Sequence, residues 1–562
     1  MNKSSLHYIY LTGIILVAAI LRFLNLELKP LWMDEVITSI FSLGNSYRDL
    51  PLDFVFPLVK LPEIFTYQPE TTCLQIAENL ASQSTHPALF FCAMHGWLGW
   101  LNPLGASWIF NMRSLPAILG ICTVPVVYYL NRIAFNPQAG IIAAALMAVS
   151  PFAVYLSQEA RHYTLPMLLI CYAIAFLLKL QHNILRQGKI QIGTWFTWVI
   201  INILGLYVHY FFILAFISQV ATLIIFIFWQ RKSIYHLQKY ILFLIGSVSL
   251  VILAFIPWMT ILLTHSRRTE TDWLRTPENI APVYQTLISW ILMVVSFPVE
   301  NQPLFIKVIS GVLMLLFSIW VGFQFFSGLK LLLINPQTKF PAFTLLIFTL
   351  GVLLEFFIII YTFQKDITIV PRYSFVYYSS FCALIAGSLL IKHQKKYFPW
   401  VIILVGLISC LCVVSNLSFQ KPFDPSFIAT KISQEPEKPH LLVVSYRDYQ
   451  DVALGLSFAV SWKEITEKKV NRSFIDVPKN MLFISQNPDF QVVWQKLAAL
   501  PEFSTTKLNF WIVGSGLRQR DFPAKIKFAQ TQTCFQDNQQ YYRRGVPLQL
   551  YRCDIPELAQ KL

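Results

Sequence analysis

Two adjacent carboxylates, Asp34 and Glu35 within Trp32-Met33-Asp34-Glu35, follow directly on the first apolar run of the chain. Carboxylates at the edge of a lipid-facing protein are costly to desolvate, which makes an acidic pair there a candidate site, although such a pair is more often a solvated helix end. Its company raises the candidate. Glu159, Arg161, His162 and Tyr163 end the apolar run 137–156, and Tyr207, His209 and Tyr210 mark the turn between two further runs. Arg267, Arg268 and Arg275 crowd one loop, and Pro371-Arg372-Tyr373 opens a late run. A carboxylate takes the proton of an acceptor hydroxyl or amine, or holds a divalent cation. Arginine presents a planar fork of donors suited to phosphate. Together beside lipid, these groups suit group transfer from a phosphorylated lipid.

The elements that must position them are set by composition. The chain has 562 residues, 56% hydrophobic, 15% aromatic and only 13% charged, with mean hydropathy +0.55. That leaves too little polar surface for a soluble globule, so the expected class is a polytopic α-helical membrane protein. The net charge of +15 does not point to nucleic acid, because Lys and Arg are scattered at the ends of apolar runs and form no stripe on a soluble domain. That arrangement reads as topology signals and contacts with anionic lipid headgroups.

Measured against the ~20 residues that cross a bilayer, apolar runs occur near 6–24, 112–131, 137–156, 163–180, 194–207, 210–229, 240–263, 304–328, 341–361, 373–391 and 399–416. The first lacks a small-residue cleavage site before Arg22 and reads as an uncleaved anchor. Two shorter runs, 88–101 and 281–297, decide the topology. If both lie in the interface, then Lys3, Arg132, Lys179, Arg186, Lys189, Arg231, Lys232, Lys239, Lys330, Lys339, Lys392, Lys395 and Lys396 share one face, which is the cytoplasmic one by the positive-inside rule. The expectation is eleven crossings, with twelve or thirteen as the alternatives. Asp34, Glu35, Glu159, Arg161, His209, the 264–280 loop, Arg372 and the C-terminal tail then share the external face.

The division read from the sequence is 1–419, a membrane domain with a long first external loop at 25–87, and 420–562, a small extracytoplasmic α/β domain. Loops as long as 25–87 are usually functional. In the tail, His440–Ser445, Met481–Ser485 and Asn509–Gly514 read as buried strands, with helical stretches near 448–460 and 489–499. Cys92, Cys122, Cys171, Cys382, Cys410 and Cys412 read as small core residues. Cys534 and Cys553, close together in a polar tail, are either a disulfide or two free thiols. Bland readings suit other features: Glu355 as a buried helix contact or a cavity group, and Tyr541-Tyr542-Arg543-Arg544 as a solvated strand edge.

Asp34-Glu35 preceded by Pro30-Leu31-Trp32, then Thr85-His86-Pro87-Ala88-Leu89, Arg113-Ser114-Leu115-Pro116, Ser157-Gln158-Glu159-Ala160-Arg161-His162-Tyr163 and Pro371-Arg372-Tyr373, resembles the membrane glycosyltransferases of the GT-C class. The resemblance is to bacterial relatives of the protein O-mannosyltransferases and of the lipid A aminoarabinose transferase, and it covers about residues 6–415. It implies a GT-C fold and a polyprenyl-phosphate sugar donor. It also implies transfer of a hexose or pentose, with inversion, to a protein, lipid or glycan outside the cytoplasmic membrane. Asp34 matches the family's catalytic acid position and Glu35 its neighbour. Arg161 matches the arginine of the Glu-Ala-Arg motif, a phosphate or structural contact. His86, Glu159, His209, Arg267, Arg268, Arg372 and Tyr373 complete the expected substrate-binding set. Family members often carry His-Pro-Pro where this chain has His86-Pro87-Ala88. A divalent metal, Mg or Mn, on Asp34 and Glu35 stays open, since members differ. The rival readings are a transporter or flippase of a lipid-linked or anionic solute, and a glycan or lipid receptor acting through the tail.

Overall fold

The structure, a computed structural model, describes residues 3–102, 107–231, 237–266, 268, 273–392, 398–470, 477–501, 507–530 and 532–554. Arg267, Lys232, Lys395 and Lys396 lie outside the described residues. The chain forms two compact units: Met1–Leu28, Thr85–Trp97 and Leu104–Gln420 in the first, and Lys29–Ser84, Leu98–Pro103 and Lys421–Leu562 in the second. The division therefore differs from the one read from the sequence, because residues 29–84 of the first loop group with the tail.

The first unit is a polytopic helical membrane domain. Among the described residues, eight helices are long and apolar enough to cross a bilayer: Leu6–Phe23, Trp108–Ala134, Thr164–Gln187, Phe212–Trp229, Leu237–His265, Leu304–Ile334, Lys339–Phe363 and Pro371–Lys392. Each falls on one of the eleven runs. Leu237–His265 and Leu304–Ile334 are largely exposed, as apolar all-round helices facing lipid must be, whereas Pro371–Lys392 is 89% buried and forms a central post. Two more runs form helices of 17 residues, Ile192–Val208 and Phe398–Val414. At 1.5 Å per residue these reach ~25 Å, a little short of the ~30 Å hydrocarbon core. Leu89–Leu101 and Ala281–Val294, of 13 and 14 residues, are shorter still.

The run 137–156 is not one straight crossing. It is broken into Pro137–Ala148 and Pro151–Ser157, bent by 58°. Pro151 has no N–H to continue the helix, and Ser150 turns extended to cap the new one, accepting from the Ala153 amide at 3.2 Å. The break strands carbonyls in a membrane interior, where each needs a donor. Arg22, fully buried, supplies two: its guanidinium donates to Met147 O at 3.1 Å and Ala148 O at 3.2 Å.

The second unit is built on a seven-stranded sheet, in the order β1-β3-β2-β4-β7-β6-β5. The strands are β1 (Val55–Pro57), β2 (His440–Tyr446), β3 (Lys479–Ser485), β4 (Lys507–Val513), β5 (Lys525–Phe528), β6 (Gln532–Arg544) and β7 (Val546–Asp554). The three strands expected from the tail are the parallel centre, β3-β2-β4, buried on both faces and therefore apolar without alternation. Helices Tyr449–Val470 and Gln491–Ala498 make the crossovers. A Cβ at Gly455 would meet Val444 and Phe483 side chains inside 3.0 Å, so only glycine lets the first of these helices lie this close to the sheet.

β1 comes from the first loop and pairs antiparallel with β3, Phe56 opposite Met481. Asp53 anchors it: its carboxylate meets Lys496 at 2.8 Å, the Ser485 amide at 3.2 Å and the Tyr446 hydroxyl at 3.2 Å. Tyr541–Arg544 is the solvated strand edge expected: it pairs on one side with β7, from Tyr541↔Gln549 to Arg544↔Val546, while the pairing of β6 with β5 spans only Gln532–Phe535. Cys534 and Cys553 face each other across β6 and β7 and are bridged. Cys92, expected as a small core thiol, is also disulfide-bonded.

Candidate functional site

In the first unit the polar turns between helices converge on the ring of Tyr163. The turn 158–163 sits between Pro151–Ser157 and Thr164–Gln187, and Gln158 pins it by donating to Leu24 O at 2.8 Å. Arg161 follows, buried, its backbone amide donating to Glu159 O at 2.7 Å. Its guanidinium lies 5.7 Å from the centroid of Tyr163 and 3.0 Å from His86 Nε2. A guanidinium only donates, so His86 Nε2 accepts and the ring carries its proton on Nδ1. From a short helical turn, Pro371–Ser374, Arg372 Nε donates to the Tyr163 hydroxyl at 3.0 Å, with the guanidinium 5.8 Å from that ring and 5.8 Å from Tyr373.

Histidines line the same place. The His162 ring is 5.2 Å from His86 and 4.7 Å from His209, centroid to centroid. His209 closes the helix Ile192–Val208, and its Nδ1 accepts the Phe211 amide at 2.9 Å, which leaves its proton on Nε2. Phe375 at 4.9 Å and Tyr373 at 6.4 Å complete an aromatic surround. Burial first, then Arg161 and Arg372, pull His209 down to about 3. Burial, followed by Arg161 for His86 and by His209 and Arg161 for His162, holds both rings well below the ordinary histidine value. At neutral pH the cluster is therefore two cationic forks and three neutral imidazoles, a set of donors without a proton load of its own.

Five expected residues, His86, Arg161, His209, Arg372 and Tyr373, are thus brought together. Glu159 is buried in the same turn. Arg268 follows His265, whose Nδ1 accepts from the Tyr210 hydroxyl at 2.7 Å. His162 and Tyr163 stand at the centre although the expected substrate-binding set did not include them; the signal was their place directly after Arg161 at the end of an apolar run.

Asp34 and Glu35 belong to the second unit. Both are buried in the first turn of the helix Met33–Ser42, where unpaired N–H groups favour negative charge. Glu35 Oε2 turns back to accept the Trp32 amide at 3.4 Å, a helix-capping role, and the Lys421 ammonium sits 3.9 Å over the Trp32 ring. The helix packs on Tyr449–Val470 of the tail, with Tyr47 stacked on Tyr449 at 4.4 Å. Among the described residues no three His, Cys, Asp or Glu side chains converge in a metal-holding geometry.

Among solved structures, that of ArnT from Cupriavidus metallidurans bound to undecaprenyl phosphate matches with a TM-score of 0.52 at 11% identity, over 98% of this chain and 98% of that one. The chain has the GT-C fold. The apo state of the same protein gives a TM-score of 0.52 at 10% identity, again over 98% of each chain. A third match, the Archaeoglobus fulgidus oligosaccharyltransferase in complex with zinc and sulfate, has a TM-score of 0.46 at 14% identity, over 80% of this chain and 61% of that chain. No protein-family model matches the chain, and no curated protein matches it by sequence. At such low identity the GT-C likeness is one of fold, and the chemistry rests on the residues described above.

Proposed function

We propose that this protein is a glycosyltransferase. It transfers a hexose or pentose from a polyprenyl-phosphate carrier to a lipid, protein or glycan acceptor on the external face of the cytoplasmic membrane, with the tail on the same side. The observation that carries this reading is the pairing of Arg161 and Arg372 on one aromatic ring, Tyr163, among neutral imidazoles. Two guanidinium forks, Arg161 buried and Arg372 half-buried, suit a phosphate, and such donors are worth most where negative charge grows during reaction. ArnT, whose fold is alike, has been captured with undecaprenyl phosphate.

In the proposed reaction Asp34 takes the proton of the acceptor hydroxyl or amine. The acceptor attacks the anomeric carbon from the side opposite the phosphate, the C–O bond to phosphate breaks with inversion, and polyprenyl phosphate leaves with one more negative charge. Arg161 and Arg372 bear that charge. Glu35 holds the first turn that presents Asp34.

The rival reading as a transporter rests on broken membrane helices that hold a solute with freed backbone groups. In the bent pair Pro137–Ala148 and Pro151–Ser157 the carbonyls of Met147 and Ala148 are already taken by Arg22, which favours a structural role for the break. The deciding experiment is transfer of radiolabelled sugar from a polyprenyl-phosphate donor by the purified protein, comparing wild type with Asp34→Asn. Loss of general-base catalysis lowers the rate by roughly 100-fold or more; equal rates would remove Asp34 from the mechanism.

A further inference from the structure

The three clustered histidines differ in what their ring nitrogens are doing. The basic nitrogen of His86 is committed to Arg161 and that of His209 to the Phe211 amide. Protonating either nitrogen would break the bond it accepts. His162 is different. Its ring is buried, and neither Nδ1 nor Nε2 has a hydrogen-bond partner among the described residues. Leaving a buried polar group unpaired is costly, so such a group is expected where a ligand supplies the partner.

We propose that His162 binds the phosphate of the lipid carrier directly and takes up one proton when that phosphate becomes a monoester, so that the leaving group is held as an imidazolium–phosphate pair. This rests on the reading of the cluster as the carrier-phosphate site. The charges balance as follows. The sugar-linked carrier is a phosphodiester with one negative charge. Transfer breaks the sugar–phosphate C–O bond, and the released monoester carries two negative charges above its second pKa of about 6. The acceptor's proton leaves through the carboxylate base to solvent, and one proton enters His162 from solvent, so no net proton is made or consumed while product stays bound.

The groups that face His162 are His209, Arg161, His86 and Arg372, with Tyr163 alongside. Burial and these groups keep its ring neutral, and a dianion against it reverses the balance in favour of the cation. The other two histidines keep their places as neutral donors, His86 through Nδ1–H and His209 through Nε2–H. A phosphodiester, with a single charge already opposed by two arginines, calls for no extra proton. The cluster is thereby tuned to tell product from substrate by charge, and proton loss from His162 becomes the event that frees the spent carrier.

The test is calorimetric binding of a C20 prenyl monophosphate and of its methyl phosphodiester to the full-length protein in nanodiscs, between pH 7 and 8.5, in buffers of different ionisation enthalpy. Wild type should take up about one proton with the monophosphate and none with the diester, and monophosphate affinity should fall about tenfold per pH unit. His162→Gln should abolish the uptake and flatten the pH dependence, and a thermal unfolding transition within a few degrees of wild type reports that the variant is folded. Uptake that persists in His162→Gln, or that wild type never shows, overturns the role of His162 alone. Failure of wild type to bind either ligand overturns the carrier-phosphate reading beneath it.

Discussion

Arg372 donates from Nε to the Tyr163 hydroxyl across 209 residues of sequence. The bond from Nε fixes the plane of the guanidinium, so Tyr163 is a positioning residue for Arg372. Tyr163→Phe keeps the ring and its contact with both guanidiniums and removes only the tether. A hydrogen bond to a charged group is worth about 1.5–3 kcal/mol, so KM for the lipid donor should rise about tenfold or more. Steady-state kinetics at saturating acceptor decide it: an unaltered donor KM would show that Arg372 holds its place without the tether.

Arg22 is a structural cation. It closes the gap left where the membrane helix breaks at Pro151, donating to Ala18, Met147 and Ala148. Arg22→Leu matches the apolar surroundings yet strands those carbonyls, at about 1–3 kcal/mol each before relaxation. The expected loss is about 2–4 kcal/mol in thermal unfolding of the detergent-solubilised protein, with Arg22→Lys intermediate because an ammonium cannot span both carbonyls as a fork does. A stable Arg22→Leu protein would mean that water or a backbone shift satisfies the break.

Acid should act on the tail through Glu435. Its carboxylate takes a forked pair from Arg552, at 2.8 and 3.0 Å, and a bond from Asn509 at 3.1 Å. The hydrogen bonds from Arg552, ahead of all other causes, hold its pKa well below the ordinary glutamate value of 4.5. For a depressed acid the stabilisation is complete above the unfolded value and is lost as pH falls through the folded one. Tail stability should therefore be flat in this group above about pH 5 and decline below 4.5. Glu435→Gln should lower the melting temperature at pH 7 and shrink the decline between pH 5 and 3. An identical acid limb in both proteins would remove Glu435 from the acid response.

Which residues are candidates for chemistry is legible in the sequence, and for a physical reason. In an apolar chain, a polar residue at the end of a run is conspicuous, and Asp34, Arg161, His209 and Arg372 all stand out that way. The central strands of the tail were equally plain, because burial on both faces leaves uninterrupted apolar runs such as Leu441–Val444. What stayed hidden depends on partners distant in sequence. The open nitrogens of His162 are defined only by what His86 and His209 do with theirs. Arg22 looks like the end of an anchor until the carbonyls of Met147 and Ala148 are placed beside it. Val55–Pro57 is too short for a period of two to show, and Pro57 argues against a strand, so nothing in the loop announced β1. Within the apolar run 137–156, Pro151 is the residue whose missing N–H marks the bend.

β1 has a consequence for how the chain is made. Its partner β3 lies more than 400 residues downstream, so at roughly 5–20 residues per second the strand waits on the order of 20 to 90 s after synthesis before it can pair. Through that interval Phe54, Val55 and Phe56 are an unsatisfied edge, with the helix bearing Asp34 beside them in sequence. The same dependence makes shortened chains unsafe reporters: removing the tail takes away β3, Lys496 and Tyr449 together, and so unseats the loop that carries the proposed base. A dead truncation would record an orphaned loop rather than a missing receptor.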